Sequence, residues 1–284
     1  MKKLFAMALA LLMVAVLLPV TAMAEENAAK IGNTKYTTLQ EAIAAAADGD
    51  TVKLLKDVVL EQIITVEKSI TLDMDGKKLS NTENLWSESA GNWSLISVRS
   101  GGNLTITGNG TFVAKENDCF AVDVQDGATV TIENGTFIGN IHAVYVNKGT
   151  ANVNGGTYSV QQKYTDPAKA DEFVLNCLDD NRATGDAKII VTGGTFIDFN
   201  PADCAAEGAG TNFVAAGYEV KANGNVYTVV RTPIVFIVPG DTTDTTTTTE
   251  KPANPATGAN DFVGAAAALA VVSLLGMAVA SRKK

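Results

Sequence analysis

The chain has 284 residues, 46% of them hydrophobic, and a formal net charge of −9 at pH 7. Between residues 25 and 257, with Asp261 and the five basic residues of the two ends set aside, 30 acids face 17 bases, a net charge near −13. That balance leaves no basic surface for a polyanion and excludes nucleic acid as a partner.

The N-terminus carries Lys2 and Lys3, an apolar run from Leu4 to Leu18, and Ala22-Met23-Ala24 before Glu25-Glu26. This is the layout of a secretory signal peptide, residues 1–24, with cleavage expected after Ala24. Further on, Thr38-Leu39-Gln40-Glu41 has capping-box spacing, and Ala42 to Ala47 favours a helix that Asp48-Gly49 stops. Strands are expected from Val52, over Ile63 to Val66 and over Ile70 to Met74, and the polar stretch from Asn81 to Trp93 reads as a loop.

From Leu95 a phrase recurs after each β-branched run: ITGNGTF, IENGTF, VNGGTY and VTGGTF, with its last glycine at Gly110, Gly135, Gly156 and Gly194. A period in the twenties, once widened by an insertion, marks stacked turns that share a core, because no single turn buries its own apolar face. Each turn writes as three strands: LISV, NLTIT, TFVA; FAVDV, ATVTIE, TFIG; HAVYV, TANVN, TYSV; FVLNC, AKIIV, TFID. Glycine permits the bend, while Phe112, Phe137, Tyr158 and Phe196 are expected to stack in the core with an outward row of Thr111, Thr136, Thr157 and Thr195 beside them. Asn109 and Asn134 are expected to bond turn to turn. After Asn200-Pro201 the repeat stops, and Gly217 to Val220 with Val226 to Val230 reads as a hairpin closing the stack. The β-helix domain is thus expected over 25–240, and a Thr-rich segment over 241–253 reads as an extended stalk.

The stretch YTTLQEAIAAAADGDTVKLLKDV resembles the entry to pectate-lyase-like proteins, where a short helix covers the first coil. With the repeats, the resemblance spans roughly residues 36 to 200. It implies an all-β fold: a right-handed parallel β-helix with three strands per coil, an N-terminal capping helix and a C-terminal hairpin. At the other end, Asn254-Pro255-Ala256-Thr257-Gly258 precedes an apolar run from Phe262 to Ala280 and Arg282-Lys283-Lys284. This order, over 254–284, resembles the sorting signal of Gram-positive surface proteins, with Asn254 where Leu is usual. In that family a sortase cuts between Thr and Gly and joins the Thr to peptidoglycan; the transmembrane-length run holds the chain until then. The resemblance implies export and attachment to the cell wall.

Strand parity selects the candidate site. If Ile96, Val98, Val122, Val124, Val144, Val146, Leu175 and Cys177 point inward, then Ser97, Asp123, Tyr145 and Asn176 form an outward ladder. In pectate-lyase-like enzymes that face carries the substrate groove. Trp86, Trp93 and Tyr164 lie in the two loops that lead into this ladder and are expected to border a shallow groove suited to sugar rings. Asp123 stands alone on its ladder, Asp73 and Asp75 share a face, Asp179 and Asp180 fall in a loop beside Arg182, and His142 reads as a corner or surface imidazole. Paired carboxylates for glycoside hydrolysis are lacking. The expectation is adhesion or carbohydrate binding, with host or plant polysaccharide or glycoprotein as partner and with no cofactor or metal. Its rivals are a polysaccharide lyase or glycoside hydrolase acting on acidic glycans, and a spacer without a ligand. Cys119, Cys177 and Cys204 are odd in number and lack C-x-x-C spacing, so no disulfide framework is expected.

Overall fold

The computed structural model describes residues 26–85, 93–163, 173–204, 208 and 210–233. The signal segment, Trp86, Tyr164, the stalk and Asn254 to Gly258 all lie outside them.

The chain opens with a hairpin, β1 (Ala29–Ile31) and β2 (Thr34–Tyr36), turned at Gly32-Asn33, and then forms α1 (Leu39–Ala45). The expected capping box is made: Thr38 accepts from the Glu41 amide at 3.1 Å while the Glu41 carboxylate accepts from the Thr38 amide at 3.3 Å. Strands then follow in threes: β3 (Thr51–Leu54), β4 (Val58–Leu60), β5 (Ile64–Val66); β6 (Ser69–Asp73), β7 (Lys78–Asn81), β8 (Ser94–Val98); β9 (Asn103–Thr107), β10 (Thr111–Val113), β11 (Phe120–Val124). The series continues with β12 (Ala128–Ile132), β13 (Thr136–Gly139), β14 (Val144–Val146), β15 (Gly149–Val153), β16 (Thr157–Val160) and β17 (Leu175–Cys177). It ends with α2 (Asp179–Thr184), β18 (Ala187–Val191) and β19 (Thr195–Ile197), followed by β20 (Tyr218–Asn223) and β21 (Val226–Arg231).

From β3 to β16 every strand pairs in parallel with the strand three places on, so the chain visits three sheets in rotation. The first sheet runs β18-β15-β12-β9-β6-β3-β1-β2, the second β20-β21-β19-β16-β13-β10-β7-β4, and the third β17-β14-β11-β8-β5. The first two sheets are mixed, with β1 antiparallel on β3 and β21 antiparallel on β19, whereas the third is parallel throughout. The residues before α1 form a hairpin that extends the first sheet beyond β3. The expected loop around Asp179, Asp180 and Arg182 is corrected. It winds into α2, where two carboxylates in the first turn and Arg182 in the last match the helix dipole.

Alternate residues of the strands bury an apolar file, as in the Ala128–Ile132 pattern of enclosed and half-enclosed positions. In the second sheet, Phe112, Phe137, Tyr158 and Phe196 are wholly buried and stack face to face at 4.6, 5.2 and 5.0 Å between centroids. Tyr158 differs by one hydroxyl, which donates to the Gly155 carbonyl at 2.6 Å. At the bends the carbonyls of Gly110, Gly135 and Gly156 accept from Thr136, Thr157 and Thr195 of the next circuit, each at 2.8 Å. Gly135, Gly156 and Gly194 have φ of 120, 96 and 103°, and a Cβ there would sit 3.0 to 3.2 Å from the glycine carbonyl beneath, so only glycine keeps the ladder unstrained. The expected asparagine link is present in one form: the Asn134 side chain accepts from the Asn109 amide at 2.8 Å.

Candidate functional site

The third sheet carries the expected ladder. Thr65, Ser97, Asp123, Tyr145 and Asn176 stand in register on β5, β8, β11, β14 and β17. The ladder divides into a buried polar half and a half-exposed aromatic half.

Asp123 was expected on an open groove; it is wholly enclosed, as is Ser97. Its parity is as read, but β8 is buried on both faces, so position on the outer side of a strand is not the same as contact with water. A carboxylate so placed must collect donors. Asp123 Oδ2 accepts from Ser97 Oγ and from Gln125 Nε2, both at 2.9 Å, and Gln125 Oε1 in turn accepts from Arg99 Nη2 at 3.0 Å. Arg99 also lies 3.7 Å from Asp126. This network fixes β8 to β11 rather than presenting an acid to a ligand.

The aromatic half gathers around His142. Its ring stacks on Tyr145 at 5.3 Å and 14°, meets Phe120 at 4.7 Å, and takes Phe173 edge-on at 6.0 Å; Phe120 and Tyr145 are 5.1 Å apart. His142 was expected at a corner or surface; it is only 7% exposed. The corner before it is a tight one. A Cβ on Gly139 would collide with the His142 carbonyl, and Asn140 pins the bend by accepting from the Asp118 amide at 2.7 Å and donating to the Cys119 carbonyl at 2.8 Å. His142 Nδ1 lies 2.8 Å from the Phe173 carbonyl and must donate to it, which leaves Nε2 to accept from Asn176 Nδ2 at 3.2 Å. Burial dominates and lowers the imidazole pKa to about 4, against the opposing pull of the Phe173 and Ile141 carbonyls. The ring is neutral at pH 7, and Asn176, held by its amide nitrogen, keeps Oδ1 as an acceptor.

Of the expected site residues, Tyr145 and Asn176 are brought together, both half-buried. Trp93 is half-buried at the start of β8, where its carbonyl accepts from the Phe120 amide at 2.8 Å. Phe120, His142 and Phe173 were missed as site residues. The signal for them stands in the repeats: each is the first residue of its segment in FAVDV, HAVYV and FVLNC, an aromatic column three residues before the ladder.

Other candidates resolve as structure. Asp73 and Asp75 share a face, and Lys53 bridges both at 3.5 and 2.8 Å; its hydrogen bond holds the Asp75 carboxyl below the usual range. Cys119, Cys177 and Cys204 are buried thiols, and burial pushes Cys119 up to about 12. Among the described residues no group of three or more His, Cys, Asp or Glu could hold a metal ion, and no helix is long and apolar enough to cross a membrane. No family model, curated protein or solved structure matches the chain.

Proposed function

We propose that the chain is an exported surface protein of a Gram-positive bacterium, held in the cell wall by sortase at Asn254 to Gly258 and binding carbohydrate through the third sheet. In this reading the three sheets form one right-handed parallel β-helix, and the Thr-rich segment carries it away from the wall. The observation that carries the binding role is the half-buried Tyr145 ring, stiffened by His142 behind it, with the amide of Asn176 alongside. A rigid aromatic face beside a fixed acceptor suits a sugar, whose C–H face stacks while a hydroxyl donates. Both nitrogens of His142 are already engaged and Asp123 is enclosed by its own donors, which favours binding over acid–base chemistry on this face.

The reading is tested with the full chain on a glycan array. Binding is expected to a defined glycan class, with Tyr145→Ala and Asn176→Ala each losing at least about tenfold in affinity. Equal binding by the wild type and both variants would remove the platform from the site, and silence across the array would leave the spacer reading. The anchor is tested separately: Thr257→Ala is expected to release the protein from the wall fraction of a sortase-positive host into the medium.

A further inference from the structure

Asn-Gly occurs four times, at Asn109-Gly110, Asn134-Gly135, Asn154-Gly155 and Asn223-Gly224. The pair has a chemistry of its own. Glycine carries no Cβ to shield its amide nitrogen, so that nitrogen can reach the preceding carboxamide wherever the peptide between them is free to turn. The sequence makes the four pairs alike; the fold does not.

Three of them sit at corners of the stack and are held. The Asn134 side chain accepts from the Asn109 amide at 2.8 Å, while Asn154 donates to Glu133 at 3.0 Å and accepts from Thr192 at 2.8 Å. Asn109 has an exposed side chain but a clamped peptide: its own amide is bonded to Asn134, Gly110 is buried, and the Gly110 carbonyl accepts from Thr136 at 2.8 Å. Each glycine also rests on the circuit beneath. A Cβ would collide with Met74 at Gly110 and with the Glu133 carbonyl at Gly155, and would lie 3.0 Å from the Gly110 carbonyl at Gly135.

Asn223-Gly224 differs on each count. It forms the tip of the β20–β21 hairpin, both residues are exposed, and the Asn223 side chain has no hydrogen-bond partner among the described residues. No heavy atom lies within 4 Å of the place a Gly224 Cβ would take. The residue tied down at this tip is instead Asn225, which donates to Asp198 at 2.7 Å.

We propose that Asn223 is the chain's site of spontaneous deamidation, converting to aspartate and isoaspartate while the other three pairs persist. The Gly224 amide nitrogen, its proton lost to hydroxide, attacks Asn223 Cγ; the Cγ–Nδ2 bond breaks and ammonia leaves with a proton from water. Water then opens the five-membered imide at either carbonyl, giving aspartate or isoaspartate. In the second product the main chain gains a methylene at the last pair of the hairpin, Asn223 with Val226. Among the described strands β20 pairs with β21 alone, so one edge strand bears the change and the modified form can accumulate on a folded stack.

The test holds the full chain folded at mildly alkaline pH beside a urea-unfolded sample. Both are digested and mapped by mass spectrometry for the gain from amide to acid, and protein isoaspartate methyltransferase marks the isoaspartate. All four pairs are expected to convert in the unfolded sample. In the folded chain Asn223 is expected to convert at least about tenfold faster than Asn109, Asn134 or Asn154, since each of those must first open locally. Asn223→Gln, whose longer side chain closes the ring far more slowly, is expected to remove the methyltransferase signal from the folded chain. Conversion of any of the other three at the rate of Asn223 in the folded chain, or no conversion at Asn223 while the unfolded chain reacts, would overturn the proposal.

Discussion

His142 is the chain's one histidine, and burial among Phe120, Tyr145 and Phe173 holds its pKa at about 4 against an ordinary 6.5. The unfolded chain therefore binds a proton, between those two values, that the folded chain refuses. Its contribution to stability is intact above pH 6.5 and is lost as the pH falls towards 4, by about 3 kcal/mol in all. Urea midpoints measured from pH 7 to pH 4.5 are expected to fall for the wild type and to stay nearly level for His142→Gln, which keeps a polar side chain but cannot titrate. The lowered carboxylates Glu41, Asp75 and Asp198 act in the same direction but only as the pH falls through and below the ordinary carboxylate range, so the higher window belongs to the imidazole. The same residue marks where residue-level inference failed. The chain turns tightly through Gly139 and Asn140, and nothing in the identity of a histidine after a short corner tells that its ring will be tucked beneath Tyr145.

At the scale of elements, the aromatic file of the second sheet joins four circuits through ring contacts alone. Phe137 has a stacked neighbour on both sides, at 4.6 and 5.2 Å, and is wholly buried. Phe137→Ala is expected to cost about 3–5 kcal/mol, measured by denaturant unfolding, because rings above and below leave little freedom to collapse into the gap. This file, the Thr row beside it, α1 with its capping box and the β20–β21 hairpin were all legible in the sequence, since each rests on local periodicity or on a local hydrogen bond. Strands β1, β2, β4 and β7 were not: with three or four residues each they hold too few alternations to register, and they exist because a neighbour offers an edge. Asp123 and Tyr145 show the matching gap in the site. Their order along the ladder followed from parity; parity does not tell which of them is enclosed.

In the whole molecule each circuit contacts chiefly the one before and the one after, so stability is close to one-dimensional, a sum of circuit and interface contributions. Native-state hydrogen exchange should reflect this. The amides of β12 and β13, paired on both sides, are expected to exchange most slowly, and those of β5 and β17, the two ends of the third sheet, faster by at least about tenfold. Uniform protection across all three sheets would mean that the stack opens only as a unit. The pairing rule bears also on how the chain acquires its shape. Thr136 pairs with Thr157 and Thr111 with Thr136, partners 21 and 25 residues apart, and Thr157 keeps the same register with Thr195 although the step there is wider. Loop-closure entropy is thus set by one circuit and does not grow with the number of circuits. A chain emerging N-terminus first can lay each circuit on a finished one, beginning from the hairpin and α1, without waiting for its last residue.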